Sequence, residues 1–398
     1  MVEVLFALGL VVAVFVGFNI GGSSTGVAFG PAVGSNTITK LSAAALMTVF
    51  ALAGGLLVGP AVVKSLGSDL VATQFSPLVS IVVLFFIGTA LFLSNVAGVP
   101  ASTSMTAVGA IAGLGLARQT LNEGLMLEIV SWWLVSPIIA FWVSGVIGRY
   151  FYPTLVEWFA VSQSEGSLLT IDRSGSLPRP ELGENTTPRE FVGTVVVIGI
   201  GCYMGFSAGA SNVANAVAPL VGNGSLDLYP AILLGGGAIG LGAFTIARRT
   251  MDTVGNDLTE LPLVAAIVVA TVASTIVTFL SALGIPASFV IIATMSIVGL
   301  GWGRATRTTT LSETMKGEVP AASVGSLTSD SAPTVGDQTE DPPADDPAPI
   351  GEESREDVPT ASDLFEPGTT ARVIFLQNVV PSIATVAAYL VFRFSPIV

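Results

Sequence analysis

The sequence predicts an all-α polytopic membrane protein made of two inverted-topology repeats of about five membrane segments each, with broken or re-entrant helices. Three observations lead to this prediction: an apolar composition, ten apolar stretches and an internal repeat. Of the 398 residues, 51% are hydrophobic and 11% are charged, whereas soluble domains carry about a quarter charged residues. The mean hydropathy is +0.78. This composition excludes a water-soluble enzyme.

Ten apolar stretches supply the predicted membrane segments, and most approach the ~20 residues that cross a bilayer core. Two of them are short and rich in Gly and Ser, so we expect broken or re-entrant helices there. The stretches are 2–18, 38–58, 76–97, 101–117, 124–148, 191–206, 228–247, 262–283, 287–303 and 373–394, of which 101–117 and 287–303 are the short ones.

The net charge of −13 is concentrated in one segment near the C-terminus. Residues 312–368 hold 14 acidic residues against Lys316 and Arg355, together with eight prolines. Such a composition cannot bury enough apolar surface to offset the entropy of ordering. We therefore expect 304–372 to be a disordered acidic cytoplasmic loop.

The predicted organisation follows from these stretches and from the positive-inside rule. With ten crossings and the N-terminus outside, twelve of the 15 Lys and Arg residues fall on the cytoplasmic side. Both termini are then outside, and the chain is a multi-pass protein of the plasma membrane. The first membrane repeat is 1–150, a cytoplasmic linker is 151–190, and the second repeat is 191–303 with 373–398.

An internal repeat relates the two halves of the chain. Residues 17–24 resemble residues 205–212 at an offset of 188, and residues 98–102 resemble residues 284–288 at an offset of 186. Each half holds five apolar stretches, an odd number, so the second half enters the membrane upside down. Inverted repeats are common in secondary transporters, which bind substrate near the bilayer midplane between discontinuous helices.

Small polar residues interrupt the apolar pattern in two matched pairs of segments, 21–34 with 209–222 and 100–104 with 286–288. An isolated Ser or Gly in a membrane helix more often serves helix packing, but matched clusters in both repeats favour a binding site. Pro31 and Pro219 are expected to begin new helices, whose free N–H groups and partial positive charge favour an anion. The predicted substrate-binding residues are Ser23, Ser24, Ser102, Thr103, Ser104, Ser211, Asn212, Asn215 and Ser288.

The composition also excludes several classes of function. The sequence contains no histidine and one cysteine, which excludes His-ligated metals, His-based triads and disulfides within the chain. No carboxylate pair lies within the polar interruptions, and no phosphate-binding GxxxxGK[ST] loop is present. We therefore expect neither an enzyme nor an ATP-driven pump, no bound cofactor and no nucleic-acid partner.

The motifs resemble those of the inorganic phosphate transporter (PiT) family, which includes phosphate and sulfate permeases. The family motif G-A-N-D-V-A-N-A is similar to Gly209–Ala216, which reads G-A-S-N-V-A-N-A, and to Gly21–Ala28, which reads G-G-S-S-T-G-V-A. The family element G-[LI]-P-V-S-T-T-H is similar to Gly98–Met105, which reads G-V-P-A-S-T-S-M. Ser24 and Asn212 stand where the motif carries Asp, and Met105 where it carries His.

The resemblance implies a secondary transporter that moves inorganic phosphate with Na⁺ or H⁺ by alternating access. Without the motif Asp residues, proton coupling through those positions is not available, and Asn, Ser and backbone carbonyls are left to hold sodium. The candidate cation-binding residues are Asn19, Thr25, Asn36 and Asn223. A permease for sulfate or another oxyanion and a transport-dead membrane sensor remain alternatives, and a homodimer is left open.

Overall fold

A computed structural model describes residues 2–34, 37–72, 74–96, 102–159, 169–172, 179–182, 187–246, 263–305 and 367–395. Twelve helices and one short β-hairpin form this part of the chain. The first half contains α1 (Val2–Gly34), α2 (Lys40–Leu57), α3 (Gly59–Lys64), α4 (Pro77–Val96), α5 (Thr103–Arg118), α6 (Glu123–Val146) and α7 (Tyr152–Phe159). The second half contains α8 (Pro188–Gly222), α9 (Leu228–Thr245), α10 (Leu263–Ala282), α11 (Phe289–Ala305) and α12 (Pro367–Phe394).

Each of the ten predicted apolar stretches coincides with a helix, so the prediction of a helical, multi-pass membrane protein is confirmed. Seven of the described helices are long and apolar enough to cross a bilayer. Phe289–Arg304 and Asn378–Phe394 are shorter apolar helices. Many large apolar side chains, such as Leu127 and Phe394, are exposed on the outside of the bundle, where a lipid environment removes the cost of exposing them to water.

The expected helix breaks at 21–34 and 209–222 are wrong. Both segments continue as α-helix, because α1 is 33 residues long and α8 is 35. A Gly or Ser inside a helix costs only about 1 kcal/mol or less relative to Ala, and tertiary packing offsets that. Pro219 lies one turn before the end of α8, so it does not begin a helix as expected. Likewise, Pro31 lies inside α1.

The second pair of breaks is confirmed at both helix starts. α5 begins at Thr103 with Ser102 as its N-cap, and α11 begins at Phe289, directly after Ser288. Serine hydroxyls satisfy N–H groups of the first helical turn, which have no acceptor within the helix. Two helix N-termini therefore lie inside the bundle.

The expectation of an entirely helical chain needs one correction in the predicted linker. Strands β1 (Leu169–Asp172) and β2 (Arg179–Leu182) pair antiparallel, with Leu169 opposite Leu182. Two turns of the chain, Ser65–Asp69 and Ile147–Phe151, are π-helical and not α-helical. The predicted acidic loop lies largely outside the described residues, so its predicted disorder stays a prediction.

The helices pack in a reciprocal pattern across the two halves. α1 packs on α9 while α8 packs on α2, and α5 packs on α12 while α11 packs on α6. Small residues allow these helices to approach closely, as at Gly209, where a Cβ would overlap the carbonyl of Ala51 on α2. This packing brings α1, α5, α8 and α11 together around the polar residues.

Candidate functional site

A small cavity lies where α1, α5, α8 and α11 meet, and about 50 Å³ of it admits the centre of a water molecule. Since one water needs about 10–15 Å³ by this measure, the cavity has room for a few waters or one small ion. Its lining residues are Ser23, Ser24, Val27, Ala28, Ser102, Thr103, Met204, Ala208, Asn212, Ser288, Phe289 and Val290. Six of the nine predicted substrate-binding residues are among them.

The N-terminus of α5 forms one wall of the cavity. Ser102 has an extended backbone, and its Oγ accepts a hydrogen bond from the Met105 N–H at 3.2 Å. The Ser102 carbonyl accepts the Thr106 N–H and the Thr106 hydroxyl. Because the N–H groups earlier in the first turn have no acceptor within the helix, they are available to a ligand.

The N-terminus of α11 forms a second wall. The Ser288 Oγ accepts the Ile291 N–H at 3.4 Å, which repeats the arrangement at Ser102. Phe289 and Val290, the first residues of α11, also line the cavity. Two helix N-termini from different halves of the chain thus contribute to one cavity.

The α8 side is organised by a buried hydrogen-bond network that joins it to α5. The Thr103 hydroxyl donates to Asn212 Oδ1 at 2.5 Å, and Asn215 Nδ2 donates to the same oxygen at 3.2 Å. Asn215 Nδ2 also lies 3.3 Å from Ser104 Oγ, which is 3.1 Å from Ser211 Oγ. Ser104, Ser211 and Asn215 therefore lie behind the cavity and do not line it.

Further bonds tie this network to α11. The Ser211 hydroxyl donates to the Ala287 carbonyl at 3.3 Å, just before α11 begins. Asn215 Oδ1 is buried and has no hydrogen-bond partner within the described ranges. A buried unpaired acceptor costs about 1–3 kcal/mol, so this oxygen is suited to a cation or a donor.

The α1 side contributes hydroxyls from a continuous helix. The Ser23 hydroxyl bonds the carbonyls of Asn19 and Ile20, at 3.3 and 3.1 Å. Ser24, one residue further along, also lines the cavity. Thr25 is buried and donates to the Gly21 carbonyl at 2.7 Å.

The other candidate cation-binding residues lie apart from the cavity lining. Asn19 is buried, and Asn95 Nδ2 donates to its Oδ1 at 3.2 Å. Asn223 is the C-cap of α8, and its amide bonds Ser80 Oγ and the Ser225 N–H. Asn36 lies outside the described residues.

The cavity is electrically neutral in its side chains, since none of its described lining residues is acidic or basic. The helix N-termini of α5 and α11 each contribute roughly half a positive charge. A neutral, hydroxyl- and amide-lined cavity at two helix N-termini is suited to a small anion.

No sequence pattern indicated the apolar part of the lining. Met204, Ala208, Val27 and Ala28 resemble ordinary core residues of membrane helices, and they line the cavity because α8 and α1 cross beside it. Asn95, which bonds Asn19 across α1 and α4, lies at the end of an apolar stretch and could have been suspected from its polarity.

The fold and the cavity define a polytopic helical membrane protein with a small anion-suited site inside its bundle. A family model, that of the phosphate transporter family, matches residues 20–325. The chain belongs to this family, whose members are transporters.

Relatives and a solved structure support this assignment. Sulfate permease CysP of Bacillus subtilis is 31% identical over 296 residues, covering 73% of this chain and 76% of its own. A relative in Pyrococcus furiosus, named as a phosphate permease, is 23% identical and covers 74% of this chain and 87% of its own. The structure of a sodium-dependent phosphate transporter matches with a TM-score of 0.64 and 18% identity, covering 98% of this chain and 100% of that one.

Proposed function

We propose that this protein is a secondary permease for a tetrahedral inorganic oxyanion, with phosphate as the substrate that the family membership favours. The observation that carries the proposal is the convergence of two helix N-termini and two polar helices on one neutral cavity. The substrate oxygens would be held by the residues that line it, with Ser104, Ser211 and Asn215 supporting them. The volume of the cavity suits a small inorganic ion.

Sulfate is the second candidate substrate. One observation favours it directly, because the relative with 31% identity is named a sulfate permease. A second observation is that the cavity lining differs from the family motif, because Ser24 and Asn212 stand where the motif carries carboxylates.

The two halves of the chain are proposed to be inverted repeats that rock about the shared site. Reciprocal contacts support this. A Cβ at Gly54 would overlap the carbonyl of Phe206, and a Cβ at Gly242 would overlap the carbonyl of Phe18. Gly54 and Gly242 differ by 188 residues, as do Phe18 and Phe206, so exchanging the halves reproduces the contact. A pseudo-two-fold axis would have this effect.

A co-bound cation is proposed to complete the site. Phosphate carries about −1.5 to −2 charges near neutral pH, and two helix N-termini supply about one positive charge. Since the described lining holds no Lys or Arg, Na⁺ is the proposed source of the remaining charge. The unpaired Oδ1 of Asn215 is proposed as a cation ligand in addition to the candidate residues Asn19, Thr25, Asn36 and Asn223.

Transport would cross the plasma membrane, with 151–190 and 304–372 on the cytoplasmic side and both termini outside. This orientation rests on the distribution of Lys and Arg.

Uptake of radiolabelled phosphate and sulfate into proteoliposomes tests the proposal. The wild type should accumulate at least one of them on a Na⁺ gradient, and Ser24→Ala and Asn212→Ala should lower the uptake severalfold. A folded wild type that accumulates neither anion would contradict the proposal and favour a membrane sensor.

A further inference from the structure

The amide of Asn212 is held in one orientation. Its Oδ1 already accepts the Thr103 hydroxyl at 2.5 Å and the Asn215 amide at 3.2 Å. Its Nδ2 makes no hydrogen bond within the described part of the chain, while the side chain lines the cavity. Because both acceptor positions of Oδ1 are used, Asn212 presents N–H donors to the cavity.

The rest of the lining also presents more donors than acceptors. The Ser102 Oγ accepts the Met105 N–H, so its own O–H is available to a ligand. The first N–H groups of α5 and α11 add further donors. On the acceptor side, Ser23 directs its proton to α1 carbonyls and Thr103 directs its proton to Asn212, so each offers only its oxygen to the cavity. Ser24 can donate or accept.

We propose that this donor-rich wall selects the oxyanion that carries the fewest O–H groups, an inference that rests on the proposed function. Sulfate, which has none, is bound best, singly protonated phosphate next, and doubly protonated phosphate last. A phosphate O–H that faces an N–H leaves both donors unpaired, and a site built for one hydrogen-bond pattern rejects the wrong one strongly. Asn215 is a positioning residue that acts through Asn212, and Thr103, which also lines the cavity, orients the same amide.

Competition in the wild type tests the order of preference. Proteoliposomes take up radiolabelled sulfate at fixed Na⁺ while unlabelled phosphate competes, from about pH 6 to about pH 8, a range in which phosphate loses a proton. Phosphate should inhibit severalfold more strongly at the higher pH and remain weaker than unlabelled sulfate throughout. Stronger inhibition at the lower pH would overturn the proposal.

Variants test the positioning role. Thr103→Val removes the donor to Asn212 and should reduce the sulfate-to-phosphate selectivity about tenfold, whereas Thr103→Ser keeps the hydroxyl and should retain it. Thr106→Val is the matched control, because Thr106 is buried on the same helix and its hydroxyl, among the described residues, bonds only the Ser102 carbonyl. Asn212→Asp replaces donors by an acceptor and should favour protonated phosphate. An unchanged selectivity ratio in folded Thr103→Val would overturn the assignment.

Binding separates the two proposals. A ligand raises the unfolding temperature of the solubilised protein according to its affinity, so stabilisation by sulfate and by phosphate can be compared without transport. If sulfate raises the unfolding temperature more than phosphate does but neither anion is taken up, the proposed permease function is contradicted and the proposed selectivity is supported. Uptake with phosphate binding more tightly than sulfate at low pH would support the permease and contradict the selectivity.

Discussion

Gly54 on α2 lies directly against the carbonyl of Phe206 on α8, so closely that a Cβ at this position would overlap the carbonyl oxygen. Phe206 is six residues before Asn212 on the same helix, so this contact helps to fix the position of α8 beside the cavity. Close approach of this kind is the usual reason for small residues at membrane helix interfaces.

The Gly54 contact predicts a sensitivity to a single methyl group. Gly54→Ala should destabilise the protein by about 1–3 kcal/mol, because backbone must move to admit the Cβ. Thermal unfolding in detergent, followed by tryptophan fluorescence, measures the change. Gly237→Ala on α9 is the matched control, since no atom of the described residues lies within 4 Å of its added Cβ, and it should leave stability unchanged or raise it. Equal changes in stability for the two substitutions would contradict the role of close packing at Gly54 in stabilising the protein.

The sequence predicted every major helix, because apolar stretches of membrane length leave few alternatives to helices. It failed at 21–34 and 209–222, where Gly and Ser were interpreted as helix breaks. The glycines there mark close packing instead, as at Gly209 against α2. One of the two hydrogen bonds that orient Asn212 comes from Thr103, more than a hundred residues away, so no local pattern could have indicated it.

Because Ser102 and Ser288 cap helices whose N-termini line the cavity, we expect their substitution to affect both stability and anion affinity. Ser102→Ala should cost about 1 kcal/mol of stability and raise the KM for the oxyanion severalfold, because a donor is lost as well. Ser102→Thr keeps the cap and should retain most of the affinity. Uptake kinetics and thermal unfolding together measure both effects, and a loss of stability without a change in KM would remove Ser102 from the binding site.

The small volume of the cavity predicts that one larger side chain blocks it. Ala208 lines the cavity and is buried, so Ala208→Phe should abolish uptake while the protein still folds. Gly199→Phe is the control on the same helix, because Gly199 is exposed and no atom of the described residues lies within 4 Å of a Cβ added there. Radiolabelled uptake and the elution profile of the purified variants provide the measurement, and transport by folded Ala208→Phe would place the substrate elsewhere.

The neutral lining predicts dependence on sodium. Replacing Na⁺ by choline at constant ionic strength should raise the KM for the oxyanion about tenfold or more, because the anion would lose its counter-charge. Asn215→Ala should weaken the activation by Na⁺ while altering maximal uptake less. Uptake that does not respond to Na⁺ would contradict the role of a co-bound cation.

The central claim is that the oxyanion binds in the cavity between α1, α5, α8 and α11, and the single cysteine of the chain allows a direct measurement. With Cys202 replaced by Ala, Ser24→Cys places the only thiol in the cavity lining, and its rate of reaction with a hydrophilic thiol reagent is followed. Sulfate or phosphate with Na⁺ should slow this reaction severalfold, and chloride should not. An equal rate with and without the oxyanion, in a variant that still transports, would contradict the account.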